Sequence, residues 1–175
     1  MMTKYEIIYA DPPWNYGGQK MLSSSKAENH YPTMKLSELK ALPVQSITDD
    51  NALLFMWSSS PHLDQAIELM KAWGFSYATV AFVWDKVRPV PGFYTMSQCE
   101  ICLVGKKGKI PQPRGVRNAL QFLSEKKGRH SAKPAEVRTR IENMFPHQKK
   151  LEMFARETVV GWDAFGNEIS GGIRL

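Results

Sequence analysis

The chain has 175 residues, of which 43% are hydrophobic and 23% charged, as is usual for a globular protein. This length favours one domain, residues 1–175, with enough chain for a substantial core. No apolar stretch approaches membrane-spanning length and no signal-peptide pattern opens the sequence, so we expect an intracellular protein with no membrane partner.

The net charge of +6 is concentrated in one stretch of the chain. Eight basic residues and one acid lie between Lys106 and Arg129, whereas the rest of the sequence carries 15 basic and 16 acidic residues. A polyanion such as nucleic acid is the natural partner, because Lys and Arg neutralise its phosphates. The alternative is a solvated loop that binds nothing.

The first predicted strand ends in an acidic, proline-rich corner. Residues 7–10 form the apolar run of a buried parallel strand, and Asp11, Pro12, Pro13 and Trp14 follow it directly. Each proline fixes its own φ and keeps the preceding residue extended, so the Asp11 carboxylate and two carbonyls have little freedom. Ligands of open α/β sheets bind beyond the carboxyl ends of strands, which makes this corner a candidate site. The alternative is a simple strand end with Trp14 in the core.

The next segments alternate between loop, helix and strand. Residues 15–30 are rich in Gly and Ser and lack periodicity, which predicts a lid or substrate loop. A short helix over 37–41 and a buried strand over 51–57 follow. Ser60-Pro61 then predicts a helix start, with Ser60 as N-cap, and Gly74 predicts its end.

The second half continues this alternation. Strands are predicted over 75–84 and 98–104, near 119–123, and over 149–154 and 162–169, with a Pro/Gly loop over 87–96 and a helix from Ser131 to Met144. Cys99 and Cys102 lie in a predicted strand, so we expect reduced core thiols on opposite faces and no metal site. The pattern as a whole predicts an α/β fold.

Three motifs together carry a resemblance to a known family. They are the Asp-Pro-Pro-Trp corner at 11–14, the Ser-Ala-Lys-Pro helix start at 131–134 and the Leu-Glu-Met-Phe-Ala-Arg strand at 151–156. With them the chain resembles the N6-adenine methyltransferases, in the family of the eukaryotic mRNA adenosine methyltransferase and its bacterial and phage relatives. The resemblance covers nearly the whole sequence and includes the permuted motif order. It implies a Rossmann-like fold, with a mostly parallel sheet flanked by helices, in the cytoplasm of a bacterium or phage-infected host cell.

The resemblance implies roles for the corner. Asp11 and the Pro12 carbonyl would accept the two N–H bonds of the adenine amine and direct its lone pair toward the methyl group, and Pro13 completes the rigid turn. Trp14 would stack on the base.

The cofactor of this family is S-adenosylmethionine. Lys133 would bind its methionine carboxylate, Arg156 and Asn167 would contact ribose or adenine, and Asp11 would border it. Glu152 would face the ribose hydroxyls or pair with a neighbour. For the lysine, arginine and asparagine the alternative is an ordinary surface position.

The same resemblance assigns the nucleic-acid contacts. Tyr31, Lys86 and Glu100 would belong to the target-nucleotide pocket, and Lys106 and Lys107 would contact the polyanion. We expect DNA rather than RNA as the substrate, since the chain is compact and shows no separate RNA-binding or target-recognition module. An RNA enzyme of the same family, or a catalytically silent nucleic-acid-binding partner, is the alternative, and assembly as a homodimer or heteromer is left open.

Overall fold

The structure is a computed structural model that describes residues 2–15, 32–128 and 132–175. The strands of the described residues are β1 (Tyr5–Ala10), β2 (Thr48–Ser58), β3 (Ser76–Pro91), β4 (Met96–Lys107), β5 (Phe122–Ser124), β6 (Lys150–Met153) and β7 (Asp163–Phe165). The helices are α1 (Leu36–Ala41), α2 (Val44–Ile47), α3 (Leu63–Ala72) and α4 (Ala135–Met144).

The strands form a seven-stranded sheet in the order β5-β3-β4-β2-β1-β6-β7. The neighbouring pairs are parallel except those that involve β4, which runs antiparallel to both β2 and β3. β1 is central, and its Ile8 lies opposite Leu54 on one side and Leu151 on the other. The predicted mostly parallel sheet flanked by helices is therefore confirmed.

The alternation of side chains along β1 builds a core on each face of the sheet. Ile7 and Ile8 are both fully buried, and they belong to different hydrophobic clusters because successive strand residues point to opposite faces. The cluster around Ile8 includes Leu39 of α1 and Leu69 of α3. The cluster around Ile7 includes Val137 of α4. Helices therefore cover both faces, and the ends of the central strands are left for a site.

The helix predicted after Ser60 starts later than expected. Ser60–His62 forms a single 3-10 turn, and α3 begins only at Leu63. No side-chain cap is formed by Ser59, which precedes the turn, so the prediction of Ser60 as N-cap was wrong. The predicted end is confirmed, since Gly74 has φ +87°, a conformation that glycine adopts without strain.

The loop predicted over 87–96 is mostly strand. β3 continues to Pro91 and β4 begins at Met96, so only residues 92–95 connect them. Prolines 89 and 91 are tolerated there because β5 has already ended opposite Asp85, which leaves this part of β3 paired with β4 alone, across a register irregularity. The two strands therefore form a hairpin that extends past the end of β2, whose Ser58 lies opposite Ile101.

Three further predictions have different outcomes. Cys102 is buried as expected, but Cys99 is exposed, so the prediction of two core thiols was wrong for Cys99. The loop predicted over 15–30 lies almost entirely, and Tyr31 wholly, outside the described residues. No helix in the described ranges has both the length and the apolar character needed to cross a membrane.

Candidate active site

The corner after β1 is held rigidly by its own backbone. The Trp14 amide donates to the Pro12 carbonyl at 2.9 Å, and the Met34 amide donates to the Pro13 carbonyl at 2.9 Å. Asp11 comes directly after Ala10, where β1 lies between β2 and β6 at their carboxyl ends. The Pro12 carbonyl keeps a second lone pair, since a carbonyl oxygen can accept two hydrogen bonds. The corner therefore presents a fixed carboxylate and a fixed carbonyl at this edge of the sheet.

Trp14 packs in the hydrophobic core directly after the two prolines of the corner. It is only 7% exposed, its indole N–H donates to the Trp57 carbonyl at 3.3 Å, and its ring stacks on His62 with centroids 5.6 Å apart. Burial lowers the pKa of His62 and so favours its neutral form. Base stacking by Trp14 was the prediction, but the structure gives this side chain the core position that was the alternative.

Lys133 connects two of the predicted site carboxylates. Its Nζ lies 3.2 Å from Oδ2 of Asp11 and 3.4 Å from Oε1 of Glu100. Glu100 also faces Lys86, whose Nζ lies 3.9 Å from Oε2. Four residues that are far apart in the sequence therefore form one chain of alternating charges, in the order Asp11, Lys133, Glu100, Lys86.

The electrostatics of this chain favour a charged Lys133. Burial opposes protonation, but the carboxylates of Asp11 and Glu100 more than offset it, so the pKa of Lys133 is raised. The ammonium also lies 5.7 Å from the ring centroid of Trp57, within the range of a cation–π contact. A lysine at a helix start is often a surface residue, whereas this one is a half-buried cation at the centre of the site.

A cleft of about 480 Å³ of free space, including its open mouth, begins beside Asp11. It is lined by charged residues of both signs, an aromatic pair and the residues that precede α4: Tyr9, Asp11, Ala132, Lys133, Pro134, Arg138, Glu152, Phe154, Arg156 and Glu157. The cleft therefore brings Lys133, Glu152 and Arg156, three of the predicted cofactor residues, together with Asp11 of the corner.

Glu152 is paired with a neighbour, which was one of its two predicted states. Arg138 Nε donates to Oε2 at 2.8 Å and Nη2 donates to Oε1 at 3.0 Å, a bidentate geometry. Burial raises the pKa of Glu152, and the Arg138 guanidinium works against this rise. Arg138 also contacts the exposed Glu157 at 3.4 Å. The carboxylate is thus held in one orientation at the cleft wall.

The two other predicted cofactor residues follow the edge strands. Arg156 lines the cleft just after β6, next to Phe154, which has the unusual φ of +61°. Asn167 is exposed and lies two residues past the end of β7, at the same edge of the sheet, but it does not line the cleft.

The basic stretch divides between opposite edges of the sheet. Lys106 and Lys107 lie opposite Leu53 and Ala52, near the start of β2, because β4 is the reversed strand. Asp11 follows Ala10, which lies opposite Met56, so the two lysines are roughly 15 Å of strand away from the corner. The reversal of β4 therefore places the two lysines away from the corner, and their contact with a polyanion stays a prediction.

The end of the basic stretch does return to the site. β5 runs parallel to β3, and the chain then passes from Ser124 toward Lys133. The pKa of Lys127 is lowered, first by desolvation and then by the positive charges of Lys86, Lys133 and Arg156. Lys127 therefore lies among the charged groups of the site.

Arg138, Tyr9 and Lys127 were not singled out from the sequence. The hydroxyl of Tyr9 accepts a bond from Trp57 Nε1 at 2.7 Å and lines the cleft, yet its residue type matched an ordinary core position. Arg138 follows Val137 on α4, and nothing local marks it as the partner of a residue 14 positions later. The excess of positive charge did mark Lys127, but without saying which end of the stretch reaches the site.

Fold and site together define an α/β enzyme whose acidic corner and cleft meet at the carboxyl edge of its sheet. Residues 5–168 match the MT-A70 family, so the chain belongs to that family and is a methyltransferase. It is 50% identical over 182 residues to the type II methyltransferase M.MunI of a Mycoplasma species, covering 95% of this chain and 78% of that protein.

Eukaryotic relatives are more distant. The chain is 29% identical to a Medicago truncatula protein named as a putative N(6)-adenosine-methyltransferase MT-A70-like, over all of this chain and 28% of that protein. It is 27% identical to the human N(6)-adenosine-methyltransferase catalytic subunit METTL3, over 98% of this chain and 29% of that subunit. The chain thus spans less than a third of these two relatives. The predicted family and enzyme class are confirmed.

Proposed function

We propose that this chain transfers a methyl group from S-adenosylmethionine to the exocyclic amine of adenine in DNA. The observation that carries the proposal is the fixed pair of acceptors at the corner, Asp11 and the Pro12 carbonyl, at the mouth of a cleft. Similarity to a bacterial type II methyltransferase favours DNA. The names of the eukaryotic relatives support an N6-directed reaction and keep RNA as the second candidate substrate.

The corner suits an amine that is a poor nucleophile. The lone pair of the adenine amine is delocalised into the ring, and acceptors for both N–H bonds would direct it outward as positive charge develops on nitrogen. Lys133 engages Oδ2 of Asp11, which leaves Oδ1 for one of these bonds, and the second lone pair of the Pro12 carbonyl can take the other. We assign Asp11 an orienting and electrostatic role.

The donor set of the cleft fits the cofactor. Lys133 and the start of α4 would hold a carboxylate, Glu152 would face hydroxyl groups, and Arg156 would contact ribose or base. Asn167 lies outside the cleft lining, and the family resemblance assigns it the same contact. When bound, S-adenosylmethionine supplies a methyl group already activated on a sulfonium. The Arg138 clamp fixes the orientation of Glu152, so its hydroxyl-binding edge is set before any ligand arrives.

A base inside a duplex cannot reach this corner, so the target adenine must be unpaired or flipped out. Glu100 and Lys86 continue the chain of charges that begins with Asp11 and Lys133, and we place the target nucleotide beside them. Tyr31 keeps its proposed place in the target-nucleotide pocket on the resemblance alone.

The direct test is transfer of labelled methyl from S-adenosylmethionine to single-stranded DNA, duplex DNA and RNA in parallel. We expect DNA to be labelled most, and absence of label on all three would refute the proposal. Label on RNA alone would instead favour the second candidate. Asp11→Asn should abolish transfer while the chain still folds, as circular dichroism would show, whereas Asp50→Asn, an exposed aspartate at the start of β2, should transfer like wild type.

A further inference from the structure

We propose that the tip of the β3–β4 hairpin is a stacking platform for nucleobases that flank the target adenine, an inference that rests on the proposed function. The hairpin extends past the end of β2, and its apolar side chains are unusually exposed. Val90 is 49% exposed, Phe93 65%, Tyr94 101% and Met96 58%. Exposed apolar side chains that are grouped in one segment are typical of a binding surface.

The hairpin extends beyond the same edge of the sheet at which the site lies. Glu100, which contacts Lys133, lies in β4 opposite Trp84, and the strands then continue to Pro91 opposite Met96. At the rise of a β-strand, the tip is roughly 15–20 Å from Glu100. That distance corresponds to several nucleotides of a strand whose target base lies at the corner.

The charge of the hairpin favours a polyanion over an apolar protein partner. Residues 86–98 contain Lys86 and Arg88 and no acid. The segment 125–128 packs beside the hairpin base, where the Glu125 amide donates to the Asp85 carbonyl at 3.0 Å, and it brings Lys126 and Lys127. Aromatic side chains beside a basic track are the arrangement that binds single-stranded nucleic acid. The basic stretch itself is poor in aromatics, and the hairpin supplies them.

The base of the hairpin is held by hydrogen bonds to Asp85. The Asp85 carboxylate accepts bonds from the Gln98 side chain at 2.7 Å, the Val87 amide at 2.8 Å and the Ser124 hydroxyl at 2.9 Å. These bonds lower the pKa of Asp85. Val87 has φ +69°, a conformation that a β-branched residue adopts only when its surroundings hold it there. A platform needs this kind of preorganisation.

The test measures binding with the full chain and no cofactor. Single-stranded DNA with one 2-aminopurine at successive positions around the target adenine reports stacking through its fluorescence. In Phe93→Ala/Tyr94→Ala we expect affinity to fall about 10- to 100-fold and the fluorescence change at flanking positions to disappear. The salt dependence of binding should keep its slope, because no phosphate contact is lost. The matched control is Tyr77→Ala, a half-exposed tyrosine at the start of β3, the strand that leads into the hairpin, and therefore at the opposite edge of the sheet.

Turnover gives a second measurement. The double variant should raise the KM for DNA while kcat at saturating DNA and cofactor affinity stay near wild type. Unchanged DNA affinity and fluorescence in the variant would overturn the proposal. So would a variant that converts an oligomer to monomer in sedimentation but keeps its DNA affinity, since the hairpin would then be a protein interface. If the wild-type protein transfers no labelled methyl group to DNA, the proposed function fails. The binding experiment would still test whether the hairpin tip stacks on nucleobases.

Discussion

Removal of the guanidinium that clamps Glu152 should cost the fold several kcal/mol. Arg138 and Glu152 have side chains that are 15% and 14% exposed, with donor–acceptor distances of 2.8 and 3.0 Å. At charge centres about 4 Å apart and an effective dielectric constant of about 20, the attraction is about 4 kcal/mol. Because both groups keep some contact with water, we expect Arg138→Met to lower the free energy of unfolding by about 3 kcal/mol.

A second variant distinguishes the effect of the unpaired charge from the effect of lost packing by the arginine stem. Glu152→Gln/Arg138→Met removes both charges and leaves no carboxylate buried alone, so it should recover most of the stability lost in the single variant. Urea unfolding of wild type, the single variant and the double variant measures this directly. A double variant as unstable as the single one would refute the argument, because the loss would then come from packing of the arginine stem rather than from an unpaired charge.

The stability of Arg138→Met should depend on pH differently from that of wild type. Burial raises the pKa of Glu152 above its ordinary value of 4.5, and Arg138 opposes this rise, so its removal should raise the pKa further. The folded state then holds a proton that the unfolded state has released, and stability falls as the pH increases from 4.5 through the folded pKa. Arg138→Met should therefore be closer to wild type at pH about 5 than at pH about 8. An equal loss of stability at both pH values would contradict the predicted direction of the pH dependence.

Other changes test the packing and the charge distribution. Gly166→Ala would place a Cβ 2.3 Å from a backbone oxygen of residue 155, so calorimetry should show a loss of about 2–4 kcal/mol, whereas Gly128→Ala, whose Cβ would meet no atom of the described residues within 4 Å, should be neutral. Tyr5→Phe removes a 2.6 Å bond to a β7 carboxylate and should cost about 1–3 kcal/mol in urea unfolding, and an unchanged midpoint would contradict this. Charge reversal at 126–127 should weaken DNA binding and flatten its salt slope more than reversal at 106–107, and the opposite order would refute the placement of the basic stretch.

Elements with a strong local pattern could be predicted from the sequence. β1, β2 and α3 have unbroken apolar runs or helical periodicity, and their positions agree with the structure to within a few residues. The corner at Asp11 was also predictable, because two prolines restrict the backbone whatever surrounds them. The extension of β3 through Pro89 and Pro91 was not, since it depends on β5 ending early and leaving that stretch with β4 alone.

Side-chain partners within the site were harder to predict. Lys133 was predicted to lie at a helix start, and it does, but its contacts with Asp11 and Glu100 depend on where three distant segments meet. Trp14 was assigned to the base because tryptophan stacks well, and tertiary packing places it against His62 instead. Arg138 had no local signal, since pairing across 14 residues is a property of the assembled sheet and helix.

One topological fact explains where two of the predicted site residues lie. β4 runs against its neighbours, so its beginning lies at the carboxyl edge of the parallel strands and its end lies at the other edge. Glu100 is therefore carried to Lys133, while Lys106, six residues later, is carried away. A parallel β4 would exchange these positions and leave the cation between Asp11 and Trp57 with one carboxylate instead of two. Burial of Lys133 in its charged form depends on the second carboxylate, so the reversal of a single strand is what makes the charged site stable.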